Sequence, residues 1–365
     1  MNAAGAIVPG KVAIAAHHYQ KPEIVERAGL VGDSYRLAVE AAQTDAEFIV
    51  LCGVRFMAES AAILARAGQT VVIPDMNAGC PMADMIDRGS AEDAIDAIKK
   101  RSGMEIVPVA YMNSTAEVKA LTGALGGSVC TSGNAKKVLA HYFNSGKSVF
   151  FMPDFNLGMN TARALGRASP VCPPETLELS IQTVGDTPKT TKTTDATDTT
   201  DAGDENLSGV RLFLWDGFCH VHRAFTADDV RAARLAYPAA RIIVHPECKP
   251  EVTHLADESG STEAMHRALR NAKDGTQWII GTEGRFVERM AASFPGKTVV
   301  PLRVSYCHNM NRIDTASLDR TLAEIATRTN GEKLFISGTV TVADCDRAMA
   351  EKALRAMVAI AEAKE

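Results

Sequence analysis

The sequence of 365 residues lacks a long basic run, a long apolar run and any CxxC pair. Because a membrane-spanning helix needs about 18 consecutive apolar residues, the chain offers no candidate span. Its first residues also lack the basic and apolar regions of a secretory signal. Lysine and arginine number 39 against 44 aspartates and glutamates, so there is no basic footprint for nucleic acid. We therefore expect a cytoplasmic protein with no membrane or nucleic-acid partner.

The missing CxxC pair also limits what the eight cysteines can do. Zinc ribbons and thioredoxin-like sites both depend on such a pair. In a cytoplasmic chain of this size, cysteines are more often thiols or metal ligands than disulfides. A metal site would therefore have to be assembled from positions far apart in the sequence.

Short apolar, β-branched segments alternate with amphipathic segments along most of the chain, which is typical of parallel α/β sheets covered on both faces. The predicted strands fall into three sets of three, and the residues that follow them repeat. A polar triplet follows the first strand of each set, and a cysteine follows the third. The triplets are His17-His18-Tyr19, Tyr111-Met112-Asn113 and His245-Pro246-Glu247, and the cysteines are Cys80, Cys219 and Cys307.

The spacing within the three sets supports a true repeat. The triplet and the cysteine are 63 residues apart in the first set, 62 in the third and 108 in the second. Most of the excess falls at about 167–209, a Thr- and Asp-rich segment without apolar periodicity, which we predict to be a disordered insertion. The predicted domains are 10–95, joined by C-terminal helices at 308–365, then 96–222 and finally 223–307.

Ligands of parallel α/β sheets bind at the carboxyl ends of the strands, where helix N-termini also point. Three such edges facing one another would gather the triplets and the cysteines around one cavity. If these three cysteines were only small buried residues, nothing would require them to occupy equivalent positions in the three sets. Zinc is one alternative for three cysteines, although it needs a fourth ligand. A 4Fe–4S cluster on three cysteines leaves one iron open as a Lewis acid, and the oxygen- and imidazole-rich surroundings favour it.

Hydroxyl side chains stand at the start of a predicted helix in every set. They are Ser34, Ser132, Ser261 and Thr262. A single one would be interpreted as a helix N-cap. Three turns at equivalent positions instead favour anion binding, because helix N-termini attract negative charge. Such a cavity suits a small substrate that carries carboxylates or a phosphate.

The chain resembles the quinolinate synthase family from about Lys11 to Cys307. The resemblance is carried by the motifs AHHYQ, GDSYRLA, NAGCPMADM, AYMNSTAEVKA, CTSGNA, PDFNLG, WDGFCHVH, HPECKPEV, SGSTEAM and GTEGRF. It implies three similar three-layer α/β/α domains with short parallel sheets and pseudo-threefold symmetry around a central active site. It also implies an iron–sulfur-dependent transferase of NAD biosynthesis, which condenses iminoaspartate with dihydroxyacetone phosphate and releases phosphate and two waters to form quinolinate.

The same resemblance implies roles for individual residues. Cys80, Cys219 and Cys307 would hold the 4Fe–4S cluster. The catalytic residues would be Tyr19, Tyr111, His245 and Glu247, with Tyr19 placed for proton transfer and Glu247 expected to have a raised pKa. The substrate-binding residues would be His17, Ser34, Asn113, Ser132, Ser261 and Thr262. His222 would lie near the cluster, and His18 would be a structural neighbour.

The implied partners are an enzyme that produces iminoaspartate (L-aspartate oxidase or aspartate dehydrogenase) and the iron–sulfur assembly machinery. Three other functions stay open. A different hydro-lyase with the same open cluster would need no triose phosphate. A non-catalytic iron–sulfur sensor would need a DNA- or partner-binding module, and the sequence has no helix-turn-helix pattern or basic stripe. A structural zinc protein would have no use for acid–base residues at strand ends.

Overall fold

The computed structural model of the protein describes residues 10–166, 181–185, 210–329 and 336–363. These residues form three sheets, and we call each sheet with its helices a repeat. None of the described helices combines the length and the apolar character needed to cross a bilayer.

The first sheet contains four parallel strands in the order β2-β1-β3-β4. Its strands are β1 (Val12–His17), β2 (Leu30–Gly32), β3 (Phe48–Cys52) and β4 (Thr70–Val72). Its helices are α1 (Pro22–Val25), α2 (Ser34–Gln43) and α3 (Arg55–Leu64). All five residues of β3 are buried, as expected for a central strand with helices packed on the sheet.

The second sheet repeats this order with a fifth strand added at one edge, as β6-β5-β7-β9-β8. Its strands are β5 (Ile106–Tyr111), β6 (Ser128–Cys130), β7 (Ser148–Met152), β8 (Ile181–Gly185) and β9 (Val210–Trp215). Its helices are α4 (Arg88–Ser102), α5 (Ala116–Ala124), α6 (Ala135–Asn144) and α7 (Phe155–Ala164).

The strand β8 falls inside the segment predicted to be a disordered insertion. It pairs antiparallel with β9, so residues 181–185 add an edge strand to the second sheet. Backbone hydrogen bonds to a strand that is already ordered stabilise this short segment without any apolar periodicity of its own. The rest of the predicted insertion lies outside the described residues.

The third sheet has the order β11-β10-β12-β13, and all its strands are parallel. Its strands are β10 (Arg241–Val244), β11 (Glu258–Ser259), β12 (Gln277–Gly281) and β13 (Thr298–Pro301). Its helices are α8 (His220–Arg223), α9 (Ala227–Ala236), α10 (Pro250–Leu255), α11 (Thr262–Asn271) and α12 (Gly284–Ser293).

The three sheets confirm the predicted α/β class and its threefold repetition. Each repeat also contains a short strand (β2, β6 or β11) that the sequence pattern does not predict, because glycine or polar residues flank it on both sides and it forms no longer apolar run. Adjacent residues of the central strands enter different apolar clusters, as Phe150 and Phe151 do in the second sheet and Ile242 and Ile243 in the third. Both faces of these sheets are therefore covered, which gives three layers.

The C-terminal segment contacts two repeats. After α13 (Thr315–Thr329), which lies against β3, residues 338–340 form backbone hydrogen bonds at the edge of β4. The last helix, α14 (Asp344–Glu362), packs chiefly on α5 of the second repeat. The two helices approach closely at Gly123, where an added Cβ would collide with the carbonyl oxygen of Met349. The C-terminal helices therefore join the first repeat to the second.

Candidate active site

Parallel register brings the predicted site residues to one edge of each sheet. In the first repeat His17 pairs with Gly32, two residues before Ser34. In the second, Tyr111 pairs with Cys130, two residues before Ser132. In the third, β10 pairs with β11 in the same way, so His245 and Thr262 also follow neighbouring strands. Each repeat thus presents its polar triplet and its hydroxyl turn together.

The three edges surround one cavity. The predicted residues that line it are His17, Tyr19, Ser34, Cys80, Tyr111, Asn113, Ser132, Cys219, His245, Glu247, Thr262 and Cys307. His222 lines it too, together with apolar side chains that include Phe56 and Met310. The convergence expected from the repeat is therefore present.

Ser261 is the one predicted site residue that does not line this cavity. Its hydroxyl accepts a hydrogen bond from the Ala264 backbone N–H at 3.3 Å, so it is the N-cap of α11. Thr262 is then the first residue of the helix. In the first repeat Asp33 caps α2, and both Asp33 and Ser34 line the cavity. In each of these two turns, the residue after the cap supplies the hydroxyl that lines the cavity.

His18 also lies outside the cavity lining. Its Nδ1 is 2.7 Å from Nη2 of Arg289, and its Nε2 is 3.4 Å from Oε1 of Glu263. Both partners belong to the third repeat. His18 therefore links the first repeat to the third, in agreement with its interpretation as a structural neighbour.

Each of the three cavity cysteines follows the last parallel strand of its repeat and is partly buried. Burial, with a smaller contribution from the nearby Cys307, raises the pKa of Cys80 to about 12. Burial likewise raises the pKa of Cys219 and Cys307, and in Cys219 both other thiols add to the effect. The three thiols therefore keep their protons near neutrality unless positive charge is bound beside them.

The sequence analysis missed two buried carboxylates, each of which caps a helix near one of these cysteines. Glu283 is the N-cap of α12 and accepts hydrogen bonds from the backbone N–H of Phe286 and of Cys307, both at 3.2 Å. Asp154 is the N-cap of α7, where it accepts a hydrogen bond from the Leu157 backbone N–H at 2.6 Å, and its backbone pairs with Gly217, two residues before Cys219. Burial raises the pKa of Glu283 to about 7 and that of Asp154 well above its usual range. Their position after the second strand of a set is the signal that could have found them.

Glu247 is the centre of a buried polar cluster. Its Oε1 accepts a hydrogen bond from Tyr111 Oη at 2.5 Å, and its Oε2 lies 2.7 Å from Nδ1 of His222. The rings of His222 and His245 stack with their centroids 4.3 Å apart. Burial acts to raise the pKa of Glu247, but the imidazoles and these hydrogen bonds outweigh it and lower the pKa to about 2. The expectation of a raised pKa for Glu247 is therefore wrong.

A chain of hydrogen bonds connects this cluster to Tyr19. The hydroxyl of Thr282, which is fully buried, lies 3.0 Å from Tyr19 Oη and 3.0 Å from Nε2 of His222. Since the Glu247 carboxylate can only accept, His222 donates from Nδ1, and Nε2 accepts in the neutral form of the ring. Thr282 then donates to His222, and Tyr19 donates to Thr282. The sequence analysis missed Thr282 and placed His222 only near the cluster.

The protonation states in the cavity follow from burial. Burial raises the pKa of Tyr19 and of Tyr111 well above 10, so both phenols keep their protons near neutrality. Burial and the neighbouring His222 lower the pKa of His245 to about 3, and burial lowers the pKa of His17 well below its usual value. The cavity thus offers phenolic donors and neutral imidazoles, which is a suitable set for moving protons.

Among the described residues, Cys219, His222 and Glu247 form a group whose potential ligand atoms all lie within 4.8 Å of one another. Cys80 and Cys307 are not in that group. A single tetrahedral zinc ion would hold its sulfur ligands only about 3.8 Å apart. The three thiols therefore suit a group with several metal ions better than one ion.

Comparison with known proteins identifies the family to which the chain is similar. A family model described as "NadA: Quinolinate synthetase A protein" matches residues 8–359. The quinolinate synthase of Geobacillus kaustophilus (strain HTA426) is 41% identical over 351 residues, which cover 95% of this chain and 89% of that protein. The quinolinate synthase of Streptomyces coelicolor is 40% identical over 357 residues, covering 96% of this chain and 84% of that protein. The quinolinate synthase of Listeria monocytogenes is 41% identical over 323 residues, covering 88% and 82%.

Proposed function

Because this chain belongs to the quinolinate synthetase A protein family, we propose that it is the quinolinate synthase of an NAD biosynthesis route. The reaction would be the iron–sulfur-dependent condensation of iminoaspartate with dihydroxyacetone phosphate, with release of phosphate and two waters. The observation that carries the proposal is one cavity in which three thiols, hydroxyls at helix starts and a chain of proton-carrying groups meet. An enzyme that produces iminoaspartate and the iron–sulfur assembly machinery would be its partners.

The three cysteines fit a 4Fe–4S cluster. They come from three separate loops, they line one cavity and their thiols need bound positive charge to ionise. Cys80, Cys219 and Cys307 would hold the cluster, and the carboxylate of Glu283 would fix the loop of Cys307. When bound, such a cluster supplies a Lewis acid through the iron that no cysteine holds.

The carboxylates of the substrate would bind at the helix starts. Ser34, Ser132 and Thr262 line the cavity next to the N-termini of α2, α6 and α11, where backbone N–H groups favour anions. In two of these turns another residue caps the helix, so the cavity hydroxyl can serve the substrate. Asn113 and His17 would add a neutral donor and acceptor on the same wall.

Proton transfer would run through Tyr19. A proton accepted from the substrate at Tyr19 Oη displaces the phenolic proton to Thr282, whose own proton moves to Nε2 of His222. The imidazolium that forms is stabilised by Glu247, which stays ionised because its pKa is low. The reverse transfer returns a proton to a leaving hydroxyl. Glu247 therefore acts as a fixed counter-charge, which Tyr111 holds in place from the second repeat.

The test is metal content together with turnover. Protein purified without oxygen should contain about four irons and four sulfides per chain and should form quinolinate from iminoaspartate and dihydroxyacetone phosphate. Replacement of Cys80, Cys219 or Cys307 by alanine should abolish both, whereas Cys345→Ala, at an exposed position, should abolish neither. Zinc in active protein, or full iron content in the three variants, would overturn the proposal. Turnover of a dicarboxylate without triose phosphate would instead support a different hydro-lyase.

A further inference from the structure

Asn160 of α7 forms hydrogen bonds with every part of its side-chain amide. Its Nδ2 donates to the carbonyl oxygen of Pro246 at 2.8 Å and to that of Cys248 at 2.7 Å. Its Oδ1 accepts a hydrogen bond from the hydroxyl of Thr253 at 2.9 Å. The two accepting carbonyls belong to the residues on either side of Glu247. The amide of one residue therefore spans the backbone that carries Glu247.

This contact joins two repeats. Asn160 lies in the second repeat, whereas residues 245–249 connect β10 to α10 in the third, and α7 packs against α10. Within the loop, the Glu247 N–H donates to Nδ1 of His245 at 3.3 Å and the Cys248 N–H donates to the carbonyl of His245 at 2.9 Å. Within the loop, the backbone N–H groups of Glu247 and Cys248 thus bond to His245. The backbone carbonyls of Pro246 and Cys248 bond instead to Asn160.

We propose that Asn160 is a positioning residue that fixes the loop of Glu247 so that its carboxylate meets His222 and Tyr111. This inference rests on the proposed function, because it concerns the counter-charge of the proton chain. The rigid amide of Asn160 donates to a carbonyl on each side of Glu247. Two such bonds fix both the position and the orientation of the backbone at Glu247, whereas a single bond would leave its orientation free. The carboxylate oxygens must lie at 2.7 Å from His222 and at 2.5 Å from Tyr111 of the second repeat, so a small shift of the loop breaks the alignment.

Three variants separate donation from packing. Asn160→Ala removes the amide, Asn160→Asp keeps its shape but cannot donate, and Asn144→Ala changes an exposed asparagine at the end of α6 as the control. We expect both Asn160 variants to lower kcat about 10- to 100-fold with KM changed by less than about threefold. The control should leave both constants unchanged. An Asn160→Asp protein with the parental kcat would overturn the proposal, because the donors would then be dispensable.

A double-mutant cycle tests whether Asn160 acts through Glu247. In a Glu247→Gln background, Asn160→Ala should change kcat by less than about twofold, because the carboxylate that it positions is gone. A general structural role would give the same fold loss in both backgrounds and would overturn the proposal.

Hydrogen–deuterium exchange gives a readout that needs neither cluster nor substrate. Asn160→Ala should raise exchange at the amides of residues 244–249 by at least about tenfold and leave β12 unchanged, whereas Asn144→Ala should change neither. Unchanged protection of the loop in Asn160→Ala would overturn the proposal. If the parental protein formed no quinolinate while loop protection still depended on Asn160, the proposed function would fail and the positioning role would stand.

Discussion

The hydroxyl of Thr282 is the most informative atom to remove, because it alone joins Tyr19 to His222 in the hydrogen-bond chain. Thr282→Val keeps the shape of this fully buried side chain and deletes both 3.0 Å hydrogen bonds. Nε2 of His222 is then left without a partner in a buried site, which costs about 1–3 kcal/mol. Tyr19 lines the cavity, where water can replace its lost bond. We expect the free energy of unfolding to fall by about 1–3 kcal/mol.

The effect of Thr282→Val on turnover should be much larger than its effect on stability. Without the hydroxyl, a proton taken up at Tyr19 has no route to His222, and loss of general acid–base catalysis typically costs about 100- to 10,000-fold in rate. The assay is quinolinate formation at saturating substrates by anaerobic protein with matched iron content. Urea unfolding of the cluster-free protein gives the stability change separately.

Thr122→Val is the matched control for this experiment. Thr122 is also fully buried, but its hydroxyl donates to the carbonyl of Val118 within α5, away from the cavity. The free energy of unfolding of the Thr122→Val protein should fall by at most about 1.5 kcal/mol, and its kcat should equal that of the parental protein. If Thr282→Val retained kcat within about threefold of the parental protein, proton transfer through this chain would be refuted.

Two further predictions concern titration. The pKa of His245, lowered to about 3 by burial and His222, lies below its unfolded value of 6.5, so the unfolded chain binds the extra proton. The free energy of unfolding should therefore fall by up to about 1.4 kcal/mol per pH unit as pH drops below 6.5, and urea unfolding of His245→Asn should show a flatter dependence. In cluster-free protein at pH 7.5, mass spectrometry should find Cys80, whose pKa is about 12, alkylated at least about tenfold more slowly than exposed Cys345; equal rates would contradict this.

The sequence was sufficient to predict the scaffold of the site. Polar triplets and cysteines follow the strands at equivalent positions in all three sets. This repetition predicted both the three sheets and the convergence of their edges. Local patterns determine these features, because a parallel strand and the helix after it are defined by neighbouring residues. The short strands β2, β6 and β11 were not predicted, because each is flanked by glycine or polar residues and forms no longer apolar run.

The connections inside the site could not be predicted, because they join residues far apart in the chain. Tyr19 and Thr282 are separated by 263 positions, and Tyr111 and Glu247 by 136. The pKa of Glu247 was predicted with the wrong sign for the same reason. Its burial could be anticipated, but the donors that outweigh burial come from other segments. At Ser261 a difference of one residue decides between capping the helix and lining the cavity.

Repetition and divergence contribute different parts of this site. The three repeats supply equivalent strand edges, and therefore one cavity with three thiols. The chemistry depends on positions where the repeats differ. After the second long strand, the second and third repeats place Asp154 and Glu283, which cap the following helices, whereas the first places Val54, which has no capping side chain; Glu283 also holds the Cys307 loop. The bonds of Tyr19, Tyr111 and Asn160 all cross from one repeat to the third. The active geometry therefore depends on how the repeats are held together, and substitutions at these crossings should impair turnover more than they impair the folding of any one repeat.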